Sequence, residues 1–440
     1  MATDPRAHSL WLDQLTADDP SALRPRDPLD GDDRADVVVV GAGLTGLWTA
    51  YYLLEADPSL DVLVVEADVA GAGASGHGSG WCSADLSVDG DELVRRHGAD
   101  GARAMRAALR DAVVEVGGAA AAEQVDCGFA YGGSVQLART PDDLEHVARR
   151  VRDAAALDDD VHLLGPEEVA AHVRAAGVLG GAYSPDCARL QPARLARGLL
   201  DVVLGRGARV VEQTRALRVS PRAVVTDRGT VRTTWTVRGT GAWDGGTAVH
   251  GVAVATAPLT AEHWADVGLD RAQTFATPGP RGVRGERTAD DRLVLVGTAG
   301  LRGRDATTGP RAVDAERAAD GLRGTLHALF PDLADVPLTH RWTGPVAVPA
   351  DHHPSVGLDD DGIGWAGGYG FDGTAAANLA GRTLADLVTG ADSPLVRLPW
   401  VGHRSPAHAA APWRRLTDVA SRLSGARAPR APGSVPMPPR

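Results

Sequence analysis

Lysine is absent from the chain. All 45 basic residues are arginine, so any positive charge that catalysis needs must come from arginine or histidine. Cysteine is scarce. Cys82, Cys127 and Cys187 are an odd, widely spaced set that matches neither a metal-binding pattern nor a disulfide framework, and no metal site is expected. The first residues, MATDPRAHSLWLDQ, lack a cationic stretch followed by an apolar one, so they are not read as a signal peptide, and a reducing, cytoplasmic setting is the default. Base is outnumbered by acid, and the net charge of −12 argues against nucleic acid as the main partner. One uncharged run, Val37 to Leu54, approaches membrane-spanning length. Three glycines interrupt it and a second strand pattern follows at once, so no membrane insertion is expected. At 440 residues with 44% hydrophobic content the chain has core enough for two or three domains.

That uncharged run carries the strongest signal. Val37 to Val40 predicts a short buried strand. Gly41, Gly43 and Gly46 follow in the order G-x-G-x-x-G, then a helix-forming stretch, Leu44 to Ala56, stopped by Asp57-Pro58. A second strand, Asp61 to Val65, ends on Glu66. This is the dinucleotide-binding β-α-β pattern. Gly41 permits a tight turn, Gly43 lets backbone approach a pyrophosphate, and Gly46 lets helix and strand pack closely. The helix N-terminus supplies free N–H groups and a partial positive charge. Glu66 stands 20 residues past Gly46, where a carboxylate can accept from both ribose hydroxyls and would repel the 2′-phosphate of NADP. The spacing does not separate FAD from NAD.

Residues 1–33 read as an N-terminal arm on the surface, with four prolines and an apolar patch at Leu10-Trp11-Leu12. Residues 69–86 are glycine-rich. A linker rarely follows directly on a nucleotide-binding strand or contains a histidine and a tryptophan (His77, Trp81), so the loop is read as backbone wrapped around a cofactor. Helix is expected over 91–126, strand over Phe129–Leu137, and helices opened by Pro141 and Pro166. A helix over Pro192–Gly205 precedes strand-like residues 208–219, a hairpin over Ala223–Val231, and a strand, Thr234–Thr240, that runs into Gly241-Ala242-Trp243. A strand at Leu293–Gly297 and a helix at Ala315–Leu329 come next. A last strand, Gly362–Ala366, leads through Gly367-Gly368-Tyr369-Gly370-Phe371-Asp372-Gly373-Thr374 into a helix, Ala375–Val388: a second glycine-rich strand-to-helix turn. The tail beyond Leu423, rich in proline and arginine, is expected to be disordered.

With these segments placed, the chain resembles the D-amino-acid-oxidase-like family of FAD-dependent amine oxidoreductases over residues 35–400. The anchors are VVVVGAGLTGLWTAYYL, the GASG loop at 73–76, TVRGTGAW at 236–243 and WAGGYGFDGTAAANLAGRTLADL at 365–387. SLWLDQL, HRWTGPVAVPADHHPSVGL and LPWVGHRS resemble the branch that holds gamma-glutamylputrescine oxidoreductase and the aminophosphonate oxidoreductases. The resemblance implies an α/β fold: an FAD-binding Rossmann-like domain of the glutathione-reductase type plus a β-sheet substrate domain with helices. The FAD-binding domain would comprise 34–90, 190–250 and 346–400, the substrate domain 91–189 and 251–345, with a C-terminal helix and disordered tail over 401–440. It also implies FAD in extended form. Gly41, Ala42, Gly43, Leu44, Thr45 and Gly46 would hold the pyrophosphate, and Glu66 and Ala67 the adenosine ribose. Ala74, Ser75, Gly76 and His77 would line the flavin side, and Ala216 would touch adenine. Thr240 and Gly241 would close over the nucleotide, and Gly368, Tyr369, Gly370, Gly373 and Thr374 would face the isoalloxazine.

In such chemistry an amine held over flavin N5 gives up a hydride, and the imine hydrolyses to a carbonyl; the protein mainly orients the partners. The amine must be neutral, so a histidine or carboxylate nearby must take its proton. His77, Tyr369, His353 and Arg284 are the catalytic candidates, with Phe371, Trp342 and His352 beside them. Adjacent His352 and His353 point different ways, so one at most reaches the site. Arg284 can grip a carboxylate or phosphonate with its fork, or is a surface arginine on an edge strand. Two departures stand out. Where the branch reads G-A-S-G-R-N-G-G, this chain reads GASGHGSG, and His77 falls where dimethylglycine and sarcosine dehydrogenases bond flavin covalently. It is either so bonded or a pocket residue in contact with the ring. The lysine that promotes oxygen reaction in monomeric sarcosine oxidases is missing, so arginine or histidine substitutes or the acceptor is not oxygen. The expected partners are a small amine and oxygen or another electron acceptor, with a monomer or homodimer as the assembly. Three rivals remain. A flavin hydroxylase would carry a G-D-A signature where GGYGFDG stands, an NAD-linked dehydrogenase would not need the second glycine turn, and a non-catalytic FAD-binding subunit is the third.

Overall fold

The computed structural model describes residues 9–241, 247–279, 282–302 and 312–406. Ala242, Trp243 and the expected C-terminal helix and tail beyond Pro406 lie outside them.

Four consecutive valines, Val37–Val40, form the centre of a six-stranded sheet. In order across it run Ser355–Leu358, Ile363–Gly367, Trp235–Gly241, Val37–Val40, Val62–Val65 and Arg209–Val211. All pairings are parallel except that of Ser355–Leu358. A parallel sheet is covered on both faces, which is why its middle strand reads as an unbroken apolar run and not an alternating one. Val37 and Val39 pack into a core under the helices Leu44–Ala56, Gly90–Ala122, Pro192–Gly205 and Gly373–Thr389. Val38 and Val40 pack the other way, against Val224 and Val231 of a small four-stranded sheet. Leu44–Ala56 and Gly373–Thr389 cross closely, because Gly381 lies where a Cβ would meet Trp48 Cβ at 2.7 Å.

An eight-stranded sheet stands beside this layer, in the order Leu338–Val348, Thr247–Thr256, Leu293–Arg302, Val283–Arg287, Thr274–Ala276, Ser134–Ala138, Gly180–Ser184 and His162–Leu164. Its pairings are antiparallel apart from Thr274–Ala276 with Ser134–Ala138. Phe275, Leu295, Leu326 and Phe330 are among the buried side chains beneath it.

Several boundaries differ from those expected, each for a local reason. Part of the N-terminal arm is not on the surface. Leu10–Asp18 is a helix whose Leu10, Trp11 and Leu12 are at most 4% exposed, and Trp11 packs edge-to-face on Trp342 at 6.1 Å. The predicted 208–219 strand is two strands in two sheets, Arg209–Val211 and Ala216–Ser220. Between them Glu212 is fully buried, accepting from Ala70 N at 2.8 Å and Arg26 N at 2.6 Å, and Gln213 takes a φ of 48°. The long helix runs Gly90–Ala122 and is broken at Gly98, φ 73°. Of Phe129–Leu137 only the end is strand, Ser134–Ala138, because Gly133 turns the chain at φ 74°. No described helix is long and apolar enough to cross a membrane.

Candidate active site

The first glycine turn is as tight as its spacing predicts. Gly41 has φ 102°, and a Cβ on Gly46 would overlap the Gly41 carbonyl oxygen. Leu44 N–H donates to Ser75 Oγ at 2.9 Å, which ties the GASG loop to the helix start. The helix has no side-chain cap, so the N–H groups of Thr45 and Gly46 point onward without an acceptor among the described bonds, as an anion site requires. Glu66 lies at the end of Val62–Val65, its carboxylate accepting from Ala42 N at 2.8 Å and Asp68 N at 2.9 Å. Burial pushes its pKa up, against the pull of these two N–H groups. Each carboxylate oxygen keeps a lone pair for a ribose hydroxyl. Ala67 is half-buried beside it, Ala216 opens the strand Ala216–Ser220, and Thr240 is exposed. Gly241, φ 84°, lies so close to Gly367 that a Cβ on the latter would overlap its carbonyl.

The second turn faces the first. Gly368 and Gly370 take φ of 80° and 64°. Between them Tyr369 is buried, and its hydroxyl lies 3.4 Å from Thr45 Oγ1, linking the two glycine turns. Asp372 occupies the N-cap position of Gly373–Thr389 without capping it. Its carboxylate turns instead to Arg284, which donates Nη1–H to Oδ1 at 2.7 Å and Nη2–H to Oδ2 at 3.0 Å, and to Ser83 Oγ at 2.8 Å. The N–H groups at Gly373 and Thr374 are thereby left for another acceptor. Two uncapped helix starts on the edge of one parallel sheet fit the phosphates and the ring oxygens of FAD.

His77 ends the turn Ala74–His77 and is 6% exposed. Its Nδ1 is 2.9 Å from Gly73 O, and its carbonyl accepts from Trp342 Nε1 at 3.2 Å. Leu338–Val348 crosses so closely that a Cβ on Gly344 would meet His77 Cβ at 2.7 Å. The N-terminal helix braces the same loop: Ser9 Oγ donates to Gly76 O at 2.7 Å and Trp11 Nε1 to Gly78 O at 2.9 Å. No local feature of the arm points to this loop.

A cleft of about 1090 Å³, measured out to its solvent mouth, opens between the second glycine turn and the eight-stranded sheet. Trp81, Asp85, Asp186, Arg106 and Arg150 line it with Arg284, Phe371 and Asp372. Apart from Arg284, Phe371 and Trp81, these were not singled out from sequence, because the residues that meet here are scattered over some 290 positions. Burial pushes the Asp85 carboxyl up, but Arg150, Arg106 and Arg284 together pull it down to about 2. Arg284 thus reaches the cleft, but its fork is already filled by Asp372. Trp342 is not among the lining residues and packs instead on the N-terminal helix. Of the histidine pair, His352 lines the cleft. His353 turns away into a group with His97 and His403, ring centroids 5.3 and 4.8 Å apart, and is 1% exposed. Burial, with His403 and Arg96 nearby, lowers its pKa to about 4. The chain turns here, with His352 N–H donating to Pro349 O at 3.1 Å and His352 at φ 61°, and the turn puts His352 but not His353 on the cleft wall. No cluster of the described residues is arranged to hold a metal.

A parallel sheet with two glycine-lined helix starts, joined to an antiparallel sheet across a charged cleft, defines an FAD-binding oxidoreductase. The family model of the FAD dependent oxidoreductases (DAO) matches residues 36–387. The chain belongs to that family, and FAD is its cofactor. It is 27% identical over 390 residues to gamma-glutamylputrescine oxidoreductase of Escherichia coli (strain K12), covering 83% of this chain and 86% of that one. To a probable oxidoreductase OrdL of Rhizobium meliloti (strain 1021) it is 27% identical over 382 residues, with the same coverage. Its fold is similar to that of glycine oxidase from Geobacillus kaustophilus, with a TM-score of 0.68 at 21% identity over 85% of this chain and 100% of that one.

Proposed function

We propose that the protein oxidises a small primary or secondary amine to an imine, which water hydrolyses to a carbonyl compound. The observation that carries this reading is the placement of the cleft: its wall includes Gly370, Phe371 and Asp372 of the second glycine turn, which on this reading faces the flavin ring. The names of similar proteins, gamma-glutamylputrescine oxidoreductase and glycine oxidase, support a C–N bond as the target. Bound FAD supplies the hydride acceptor, and oxygen or another acceptor regenerates it. The chain's own residues do the rest. The two helix starts fix the cofactor against the parallel sheet. Tyr369, tied to Thr45, holds the second turn in place. Trp81 and Phe371 offer apolar surface to an alkyl chain, which excludes water from the reacting carbon. His352 at the cleft wall is placed to take the proton that an arriving ammonium must lose. We assign 34–90, 190–250 and 346–400 to the cofactor and 91–189 and 251–345 to the substrate, except that the helix Gly90–Ala122 packs on the cofactor side and the strands Thr247–Thr256 and Leu338–Val348 lie whole in the eight-stranded sheet.

The test is anaerobic mixing of the FAD-loaded protein with a panel of primary and secondary amines. Bleaching of the flavin band by an amine alone is expected. If no amine bleaches it and NAD(P)H does, the enzyme is a hydroxylase and this reading is wrong.

A further inference from the structure

Charge pairing within the cleft narrows the substrate class. Among the described residues, three arginines line the cleft, and each already has a carboxylate. Arg284 is held by Asp372 at 2.7 and 3.0 Å and donates also to Phe371 O at 3.2 Å. Arg150 Nη2 donates to both oxygens of Asp85, at 2.9 and 3.0 Å. Arg106 donates to Asp159 at 2.7 Å and to Ala84 O at 2.8 Å. An anionic group entering the cleft would have to share these guanidinium donors with carboxylates already bonded to them and would be repelled by those carboxylates.

One acid differs. Asp186 lines the same cleft, in the turn after the strand Gly180–Ser184. Its backbone is fixed: the carbonyl accepts from Ala84 N at 3.0 Å and its N–H donates to Ser184 Oγ at 3.3 Å. Its carboxylate has no ion pair or hydrogen bond among the described residues. The charged groups facing it are Arg110, Arg106, Asp159 and Asp160. Both arginines are already bonded to Asp159. Burial pushes its pKa up, the direction expected of an acid still short of a cation.

We propose that the substrate carries a second, cationic group, with Asp186 as its counter-charge. A diamine or an amine with a guanidino tail fits: the reacting nitrogen lies at the Gly370–Asp372 turn, the alkyl chain crosses Trp81 and Phe371, and the far cation meets Asp186 on the wall built by the eight-stranded sheet. The proposal takes the location of the site from the function proposed above.

Three probes of one chain length separate the possibilities: butane-1,4-diamine, butylamine and 4-aminobutanoate, with cationic, apolar and anionic far ends. In anaerobic flavin reduction the diamine should exceed the other two in kcat/KM by about tenfold to a hundredfold, the worth of one charge-assisted contact. Asp186→Asn should remove that advantage while butylamine is reduced as before, and Asp186→Glu should keep part of it. Faster reduction by 4-aminobutanoate, or an Asp186→Asn change that slows all three alike, would overturn the proposal. Thermal melting of the FAD-loaded protein gives a readout that needs no turnover. The diamine should raise the melting temperature of the wild type and not of Asp186→Asn. If no amine bleaches the flavin but this difference persists, amine oxidation falls and the cationic site stands. If the diamine shifts both proteins equally, the cationic site falls.

Discussion

The Arg284–Asp372 pair gives the sharpest test of how the cleft is built. Replacing Arg284 by methionine keeps much of the side-chain volume over Trp81, whose ring lies 5.0 Å from the guanidinium carbon. It leaves the Asp372 carboxylate, 5% exposed, with Ser83 Oγ as its remaining side-chain donor. Breaking a buried pair by removing one partner costs about 3–5 kcal/mol. The cleft admits some water, so a loss of about 3 kcal/mol, the low end of that range, is expected. Asp372→Asn on top of Arg284→Met removes the orphaned charge and should restore about 2 kcal/mol. The assay is denaturant unfolding of wild type, both single variants and the double variant, with FAD content measured in each. The coupling energy from this cycle should reach about 2 kcal/mol. If Arg284→Met unfolds within about 0.5 kcal/mol of the wild type and merely raises KM for anionic amines, then Arg284 binds substrate and the pairing described here is not what holds the turn.

Gly46→Ala should gain the roughly 1 kcal/mol of helix propensity but lose more to overlap with the Gly41 carbonyl, for a net loss of about 1–3 kcal/mol and poor FAD retention; Gly73→Ala, with nothing within 4 Å of its added Cβ, is the matched control. Glu66→Ala should weaken FAD binding by about 1.5–3 kcal/mol through lost charge-assisted ribose bonds, read by equilibrium dialysis, and an unchanged affinity would count against the ribose role. His353 binds fewer protons in the folded state than unfolded, since its pKa falls from 6.5 to about 4. Its contribution is therefore complete above pH 6.5 and is lost as pH drops toward 4, by up to about 3 kcal/mol; His353→Gln should flatten that part of the stability–pH curve. Acid denaturation followed by mass measurement settles the state of His77: added mass of one FAD that is absent from His77→Ala means a covalent bond, and free flavin in the supernatant means contact alone.

Much of the nucleotide-binding layer was legible in the chain. The valine run, the three spaced glycines, Glu66 and the second glycine turn are local features. Each is dictated by what a backbone must do within a few residues: turn tightly, pack a helix against a strand, or leave N–H groups uncapped. Their places in the parallel sheet follow from that local geometry. What tertiary structure decided is who stands opposite whom. Nothing near Arg284 in sequence announces Asp372, nor does anything near Asp186 announce that its carboxylate has no partner among the described residues of a cleft whose described arginines have theirs. Leu10-Trp11-Leu12 read as the apolar patch of an arm lying on a domain, but where it docks was not legible because its receiving surface includes Trp342, more than three hundred residues away. His352 and His353 were interchangeable until the turn at His352, φ 61°, sent one to the cleft and the other to His97 and His403. Local periodicity and spacing fix backbone form, because those forces act between near neighbours. Ion pairing and burial act across space, so the charge the cleft presents to a substrate was settled only when distant segments met.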